Sequence, residues 1–284
     1  MSLRLVFAAM AALVTVALAR PAAAQQRPLV TEDPEPIGAG RVLIEGGIDY
    51  AHDQHYAVSG LEGNLWRLPT LGVSVGLSSI AELQIDGGPF DRLGITGRKA
   101  APLSKSLTVT GDSTSDVDDI FIGMKIRLLS ETARRPAIGF RFATKLPNSR
   151  SRTGLGLNTT DFYASLLGAK TVESIRIVGN IGVGILADPI DGTRQNDDLT
   201  YGLSFARAMT QRSELVGDLN GRVSTRTGDP FPGTESRGVL KLGGRYTRGS
   251  IRLDAGALVG LTSVDPTLAF TAGFTYVFNA FTLP

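Results

Sequence analysis

The sequence predicts an all-β protein: a closed, antiparallel, up-and-down transmembrane β-barrel of about twelve strands. Three observations carry that expectation. Segments of alternating apolar and polar residues fill the chain after its first forty positions. The connections between them are short at one end and mostly long and polar at the other. An export signal precedes them, and spaced aromatics close them.

The export signal comes first in the chain. Arg4 supplies a positive start, Leu5–Leu18 is an apolar stretch, and Ala22–Ala24 is a small-residue cleavage site. This is the pattern of a secretory signal peptide over 1–24, too short in its apolar part to span a bilayer as a helix. Cleavage leaves Gln25 first and removes Arg4 and Arg20. The 29 basic residues then fall to 27, equal to the 27 acidic ones. A net charge of zero removes the case for a nucleic-acid partner. With no Cys there is no disulfide framework, thiolate metal site or Cys nucleophile. The 34 glycines suit tight turns and argue against long helices.

Twelve alternating segments follow, at about 41–51, 63–76, 80–88, 116–129, 136–146, 160–170, 174–187, 197–208, 213–225, 235–246, 250–262 and 267–278. In SIRIVGNIGVGI, Ile175, Ile177, Ile181, Val183 and Ile185 share one parity, and Arg176, Asn180, Gly182 and Gly184 the other, with Val178. Period two is the mark of a strand with two unlike faces. Alternation alone does not say which face looks inward. A soluble sandwich buries its apolar face and leaves sheet edges.

The connections decide between the two. After the even-numbered strands they are brief, as at Leu77–Ser79 and Thr171–Glu173. After the odd-numbered strands they run to Asp53–Glu62, Pro89–Ser115, Pro147–Thr159, Asp188–Asn196 and Arg226–Thr234, with only the last, near Ser263–Pro266, short. Short periplasmic turns, long extracellular loops and an even strand count describe an outer-membrane barrel. Segments of this length also match a tilted strand crossing of the bilayer. The domain reading is therefore a signal peptide over 1–24, a periplasmic segment over 25–40 and a barrel over 41–284, with both chain ends on the periplasmic side. The location expected is the bacterial outer membrane, with membrane lipid and lipopolysaccharide as surroundings. Near the chain's end, Thr271, Gly273, Tyr276 and Phe278 resemble the C-terminal recognition signal of such barrels. That resemblance implies Gly273, Tyr276 and Phe278 as contacts for the barrel-assembly machinery.

With apolar faces outward, the polar faces line a lumen. They carry Glu45, Asp49, Glu82, Asp86, Lys125, Arg127, Arg141, Lys145, Arg176, Asn180, Glu214, Asp218, Arg222, Lys241, Arg245, Arg252 and Asp254. Two roles stay open: ion pairs that fill and stiffen the barrel, or a basic ladder along a path for a polar or anionic solute. The connection Pro89–Ser115 holds Arg92, Arg98, Lys99 and Lys105, so folded inward it would make a basic constriction.

The stretches RPLVTEDPEPIGAGRVLIEGGIDY (Arg27–Tyr50), AELQIDG (Ala81–Gly87) and DIFIGMKIRLL…PAIGFRFATKLP (Asp119–Pro147) resemble the outer-membrane family named for the MetA pathway of phenol degradation. Its members carry an Arg-Pro-Leu-x-Thr-x-Asp opening and a Gly-x-Gly-Arg before the first strand. At one place where a glycine is usual, Asn148 stands here. The resemblance implies an outer-membrane transporter for small, hydrophobic or aromatic compounds.

Catalytic signals are weak. His52 and His55 are the only histidines, and the pair lacks a full metal-ligand set. Ser59 lies near them, but nothing marks a nucleophile with its orienting acid. The acidic runs at Asp112–Asp119 and Asp188–Asp198 lack the ligand order of a calcium loop. Asn158-Thr159-Thr160 matches a glycosylation sequon without an exported eukaryotic context. EPIGAG precedes a strand, so it is not a phosphate loop. No catalytic residue, metal or cofactor is expected. The functional expectation is a small-molecule channel of unknown solute. A closed structural barrel and an outer-membrane hydrolase are the rivals.

Overall fold

A computed structural model describes residues 27–282, so the signal peptide expected over 1–24 lies outside the described residues. Fourteen strands form a single sheet: β1 (Arg41–Tyr56), β2 (Leu61–Gly76), β3 (Ala81–Gly87), β4 (Asp91–Arg98), β5 (Ser113–Asp116), β6 (Ile120–Leu129), β7 (Ala137–Leu146), β8 (Asp161–Val172), β9 (Ile175–Ala187), β10 (Gln195–Ala208), β11 (Ser213–Ser224), β12 (Arg237–Arg248), β13 (Ile251–Gly260) and β14 (Leu268–Asn279). Every pairing is antiparallel, and β1 pairs with both β2 and β14, so the sheet closes. Among the described residues no helix is long and apolar enough to cross a membrane.

The fourteen strands make twelve spans. β3 and β4 both pair with β2, β3 along its second half and β4 along its first. They are one span broken at Gly88–Phe90. β5 and β6 are likewise one span broken at 117–119, with β5 on β4 and β6 on β3. The breaks stay tied, because Leu68 N–H donates to Phe90 O (2.9 Å) and Asp118 N–H to Gly88 O (2.8 Å). Closure leaves the spans' backbone groups paired, which is what hydrocarbon demands.

The outer face carries a continuous apolar belt. Leu128, Phe142, Leu166, Ile181, Leu203, Leu242, Leu253 and Phe270 are exposed on it, and Ile181 reaches 56%. In a water-soluble protein so continuous an exposed apolar belt would be a liability; around a barrel it is the lipid-facing surface.

Two expectations need correction here. Pro89–Ser115 is not one long loop: β4 and β5 extend the wall, and only 99–112 connects them. The Asp53–Glu62 loop is also shorter, because β1 runs on to Tyr56 through an irregularity between Ala51 and Gln54. There Asp53 adopts φ 53° and resets the parity. A period-two reading stops at such a bulge.

Candidate functional site: a lumen closed by the chain's own N-terminal segment

All seventeen polar residues predicted to line the lumen sit on inward-facing positions of the register. Few of them pair with one another. Their main partner is the segment 27–40, which the sequence reading places outside the barrel in the periplasm. It lies inside.

From Gly40 the segment enters at the short-turn end. Ile37 packs with Leu43 and Val277, and its N–H donates to Glu82 Oε2 (2.6 Å). Glu35 pairs with Arg127. Asp33 accepts from the Arg176 guanidinium through both oxygens, one at 2.7 Å. Arg176 also reaches Glu131 (2.8 Å) on the short-turn rim. Burial pushes the Glu131 carboxyl up, but hydrogen bonds from Thr171, Lys170 and Arg176 outweigh it and hold the group below its usual range.

Higher in the lumen, Glu32 meets Arg141 (3.1 Å) and Lys125 (3.5 Å), and Lys125 is fully buried against Glu82 (2.9 Å). Asn180 grips the Glu32 backbone on both sides. It accepts from Glu32 N–H (2.6 Å) and donates to Glu32 O (2.8 Å). Thr31 gives both its N–H (3.0 Å) and its hydroxyl to Asp218. Lys241 donates to Pro28 O (2.6 Å) and Arg245 to Arg27 O (2.7 Å). The Arg27 guanidinium ends the described segment, bonding Thr271 (2.8 Å) and Thr70 (3.0 Å) beside Asp254 (3.5 Å). Glycine makes the room for it: a Cβ on Gly273 would stand 2.6 Å from Arg27 Nε. So Gly273 serves the seat of Arg27. Tyr276 and Phe278 point outward, their rings stacked at 5.3 Å.

Above the segment the lumen is not filled. One cavity of about 290 Å³ and one of about 400 Å³ touch the segment at Val30, and a second of about 290 Å³ shares lining residues with the first. Arg237 and Asn220 line both smaller ones, and Phe121, Arg141 and Val30 line the third together with one of these. Arg222 is held by Asp198 (3.2 Å), and Lys145 by Asp161 (2.7 Å). Glu214 lies 3.7 Å from both Arg245 and Arg252. Asp86 lines the cavity of about 400 Å³.

The long-loop mouth is capped by apolar side chains. Leu61, Leu65, Leu93 and Ala51 form a buried cluster on the inner face, and Leu107 and Leu155 pack on it from the loops. Ser59 Oγ–H donates to Gly154 O (2.8 Å), and Leu103 N–H to Val58 O (2.9 Å), lacing three loops together. The expected basic constriction does not form. Arg92 lies on the outer face beside Trp66 in the register, and Arg98 donates to its own loop's carbonyls at Val109 and Gly111. Lys99 pairs with Glu62 on the rim, and Lys105 is exposed. Wall strands replace part of that loop, and Leu107 is what the rest packs against the wall.

The histidines are engaged by an amide and a carboxylate. His52 contacts Asn64 (2.8 Å) and His55 contacts Glu62 (2.9 Å). No group of three or more metal-ligating side chains occurs among the described residues.

The fold is shared with known outer-membrane proteins. The chain is similar to the COG4313 outer membrane channel from Pseudomonas putida F1, with a TM-score of 0.62 at 12% identity. That match covers 87% of this chain and 98% of the channel. It is also similar to the NanC porin, with a TM-score of 0.50 at 7% identity over 83% of this chain and 98% of that one. The fold is that of an outer-membrane β-barrel. No protein-family model matches the chain, and no curated protein sequence does.

The sequence reading missed the segment's role and missed Arg237. Both had a signal. The inner face of β6, β7 and β9 carries Lys125, Arg127, Arg141 and Arg176 with no acid of its own among them, while TEDPEP offers three acids with no alternation. Arg237 precedes Lys241 and Arg245 at the same four-residue step.

Proposed function

We propose that this protein is an outer-membrane channel for small molecules whose conducting path is closed by its own residues 27–37. The observation that carries the reading is the seat of that segment. It spans the lower lumen through bonds to nearly every side of the wall, yet it is held by no covalent link other than its own chain. Wall-to-wall ion pairs would close a barrel permanently; a tethered strip can leave as a unit. Its exit would open a lumen whose upper half already holds unfilled space.

The resemblance of Arg27–Tyr50, Ala81–Gly87 and Asp119–Pro147 to the MetA-pathway transporter family supports the same reading. So does the apolar cap at the mouth, which suits solutes with a hydrophobic body. A role without chemistry of its own fits the histidines' engagement by Asn64 and Glu62. The outward, stacked Tyr276 and Phe278 are the surface on which assembly machinery would act.

The test is planar-bilayer conductance of the purified protein against a variant lacking residues 27–36. The deletion is expected to hold the channel open through most of the record, where the intact protein opens only when the segment leaves, because it clears the lower lumen. A folded deletion variant that conducts nothing, and admits no solute into liposomes, would identify a structural barrel instead.

A further inference from the structure

The chamber above the segment has two walls of opposite chemistry. One is apolar. Phe121 and Tyr163 reach across β7 to bring their ring centroids to 6.1 Å, and Val30 at the segment's tip stays 54% exposed near them.

The other wall holds donors without acceptors. Arg222 and Arg237 stand directly opposite each other in the β11–β12 register, both facing inward. Like charges so placed repel. Arg222 is compensated by Asp198 and by the carbonyls of Gly233 (2.9 Å) and Glu235 (3.0 Å). Arg237 is less well compensated: among the described residues its guanidinium makes no hydrogen bond or ion pair, its Nε is buried unbonded, and Asp265 and Glu235 act on it only through space. Asn220 Nδ2, lining the same two cavities, is also buried without a partner. Leaving buried donors unmet costs the desolvation of each, and more for a cation. The neighbouring luminal cations were given acceptors; this one faces open space.

An arginine fork offers only donors and matches a carboxylate edge-on with two parallel bonds. A second donor from Asn220 and a ring-lined opposite wall narrow the fit further. We propose that this chamber binds an aromatic carboxylate, its carboxylate on Arg237 and Asn220 and its ring against Phe121 and Tyr163. The cavity size is that of a small-ligand site. This names a solute class for the channel reading above and rests on it.

The test measures binding of benzoate, benzamide and acetate to the detergent-solubilised full chain by isothermal titration calorimetry. Benzoate is expected to bind at least about tenfold more tightly than benzamide, which lacks the charge, or acetate, which lacks the ring. Arg237→Gln should weaken benzoate about tenfold and leave benzamide unchanged. Heat-modifiable gel mobility confirms folding, and Asn220→Leu serves if Arg237→Gln does not fold. Equal affinities for benzoate and benzamide, no benzoate binding, or an unaltered affinity in the variants would overturn the assignment. A deletion of 27–36 that conducts while benzoate does not bind would sink this inference alone and leave the channel reading standing.

Discussion

The two halves of the lumen are built on opposite rules. In the lower half the acids Glu32, Asp33 and Glu35 each meet a wall cation, and backbone groups of Thr31, Glu32 and Ile37 are bonded by wall side chains. In the upper half Arg237 Nε and Asn220 Nδ2 have no hydrogen-bond partner among the described residues, and loop leucines pack on wall leucines. A filled polar network fixes one geometry, because every lost bond leaves a desolvated group behind. An unfilled one is a place to receive something. The contrast teaches that the charged lumen expected from sequence is not left to solvent alone. It is mostly a binding site for the chain itself, with a smaller free chamber above.

The contrast breaks most severely at Lys125. It is fully buried between Glu82, itself fully buried, and Glu32. Lys125→Ala should cost about 3–5 kcal/mol, since it strands a buried carboxylate. Guanidinium unfolding followed by tryptophan fluorescence at Trp66 reads the loss. Lys125→Met, which keeps most of the side chain's bulk, should lose nearly as much, and a much smaller loss would mean that packing rather than charge sets the cost.

A second comparison is between neighbours on one strand. Ile181 sits mid-β9 on the lipid face, and Asn180 beside it faces inward. Ile181→Arg should cost about 2–4 kcal/mol near the bilayer midplane. Asn180→Arg should cost the barrel less while unseating Glu32, so its signature is raised conductance. A reversed ranking in denaturant would overturn the inside-out assignment.

The smallest effect is expected where the sequence suggested a constriction. Lys105→Ala touches an exposed side chain and should change stability by no more than about 0.5 kcal/mol and conductance not at all. A change in ion selectivity would restore the basic gate that the geometry removes.

What was legible in the sequence follows from what is periodic. β9 and β13 could be read residue by residue, because lipid outside and polar groups inside enforce strict alternation. The seventeen inward side chains followed from the same parity. The bulge at Asp53 and the Gly-bearing strand DRLGITGR did not, because a parity reset and short strands carry too little period to separate from loop. The seat of residues 27–37 was invisible for a different reason. The segment is broken by prolines and has no period, and its partners lie far along the chain, as with Asp33 and Arg176. Only charge complementarity linked them.

The central claim is that the segment closes the path and can leave it. The chain has no cysteine, so a disulfide can be placed at will. Thr31 Cβ lies 3.3 Å from where a Cβ on Gly202 would stand, close to disulfide spacing. Thr31→Cys with Gly202→Cys should therefore lock the segment to β10. On one planar bilayer under applied voltage, the oxidised protein is predicted to be silent, and adding reductant should restore openings. Conductance that does not change with reductant would contradict the account.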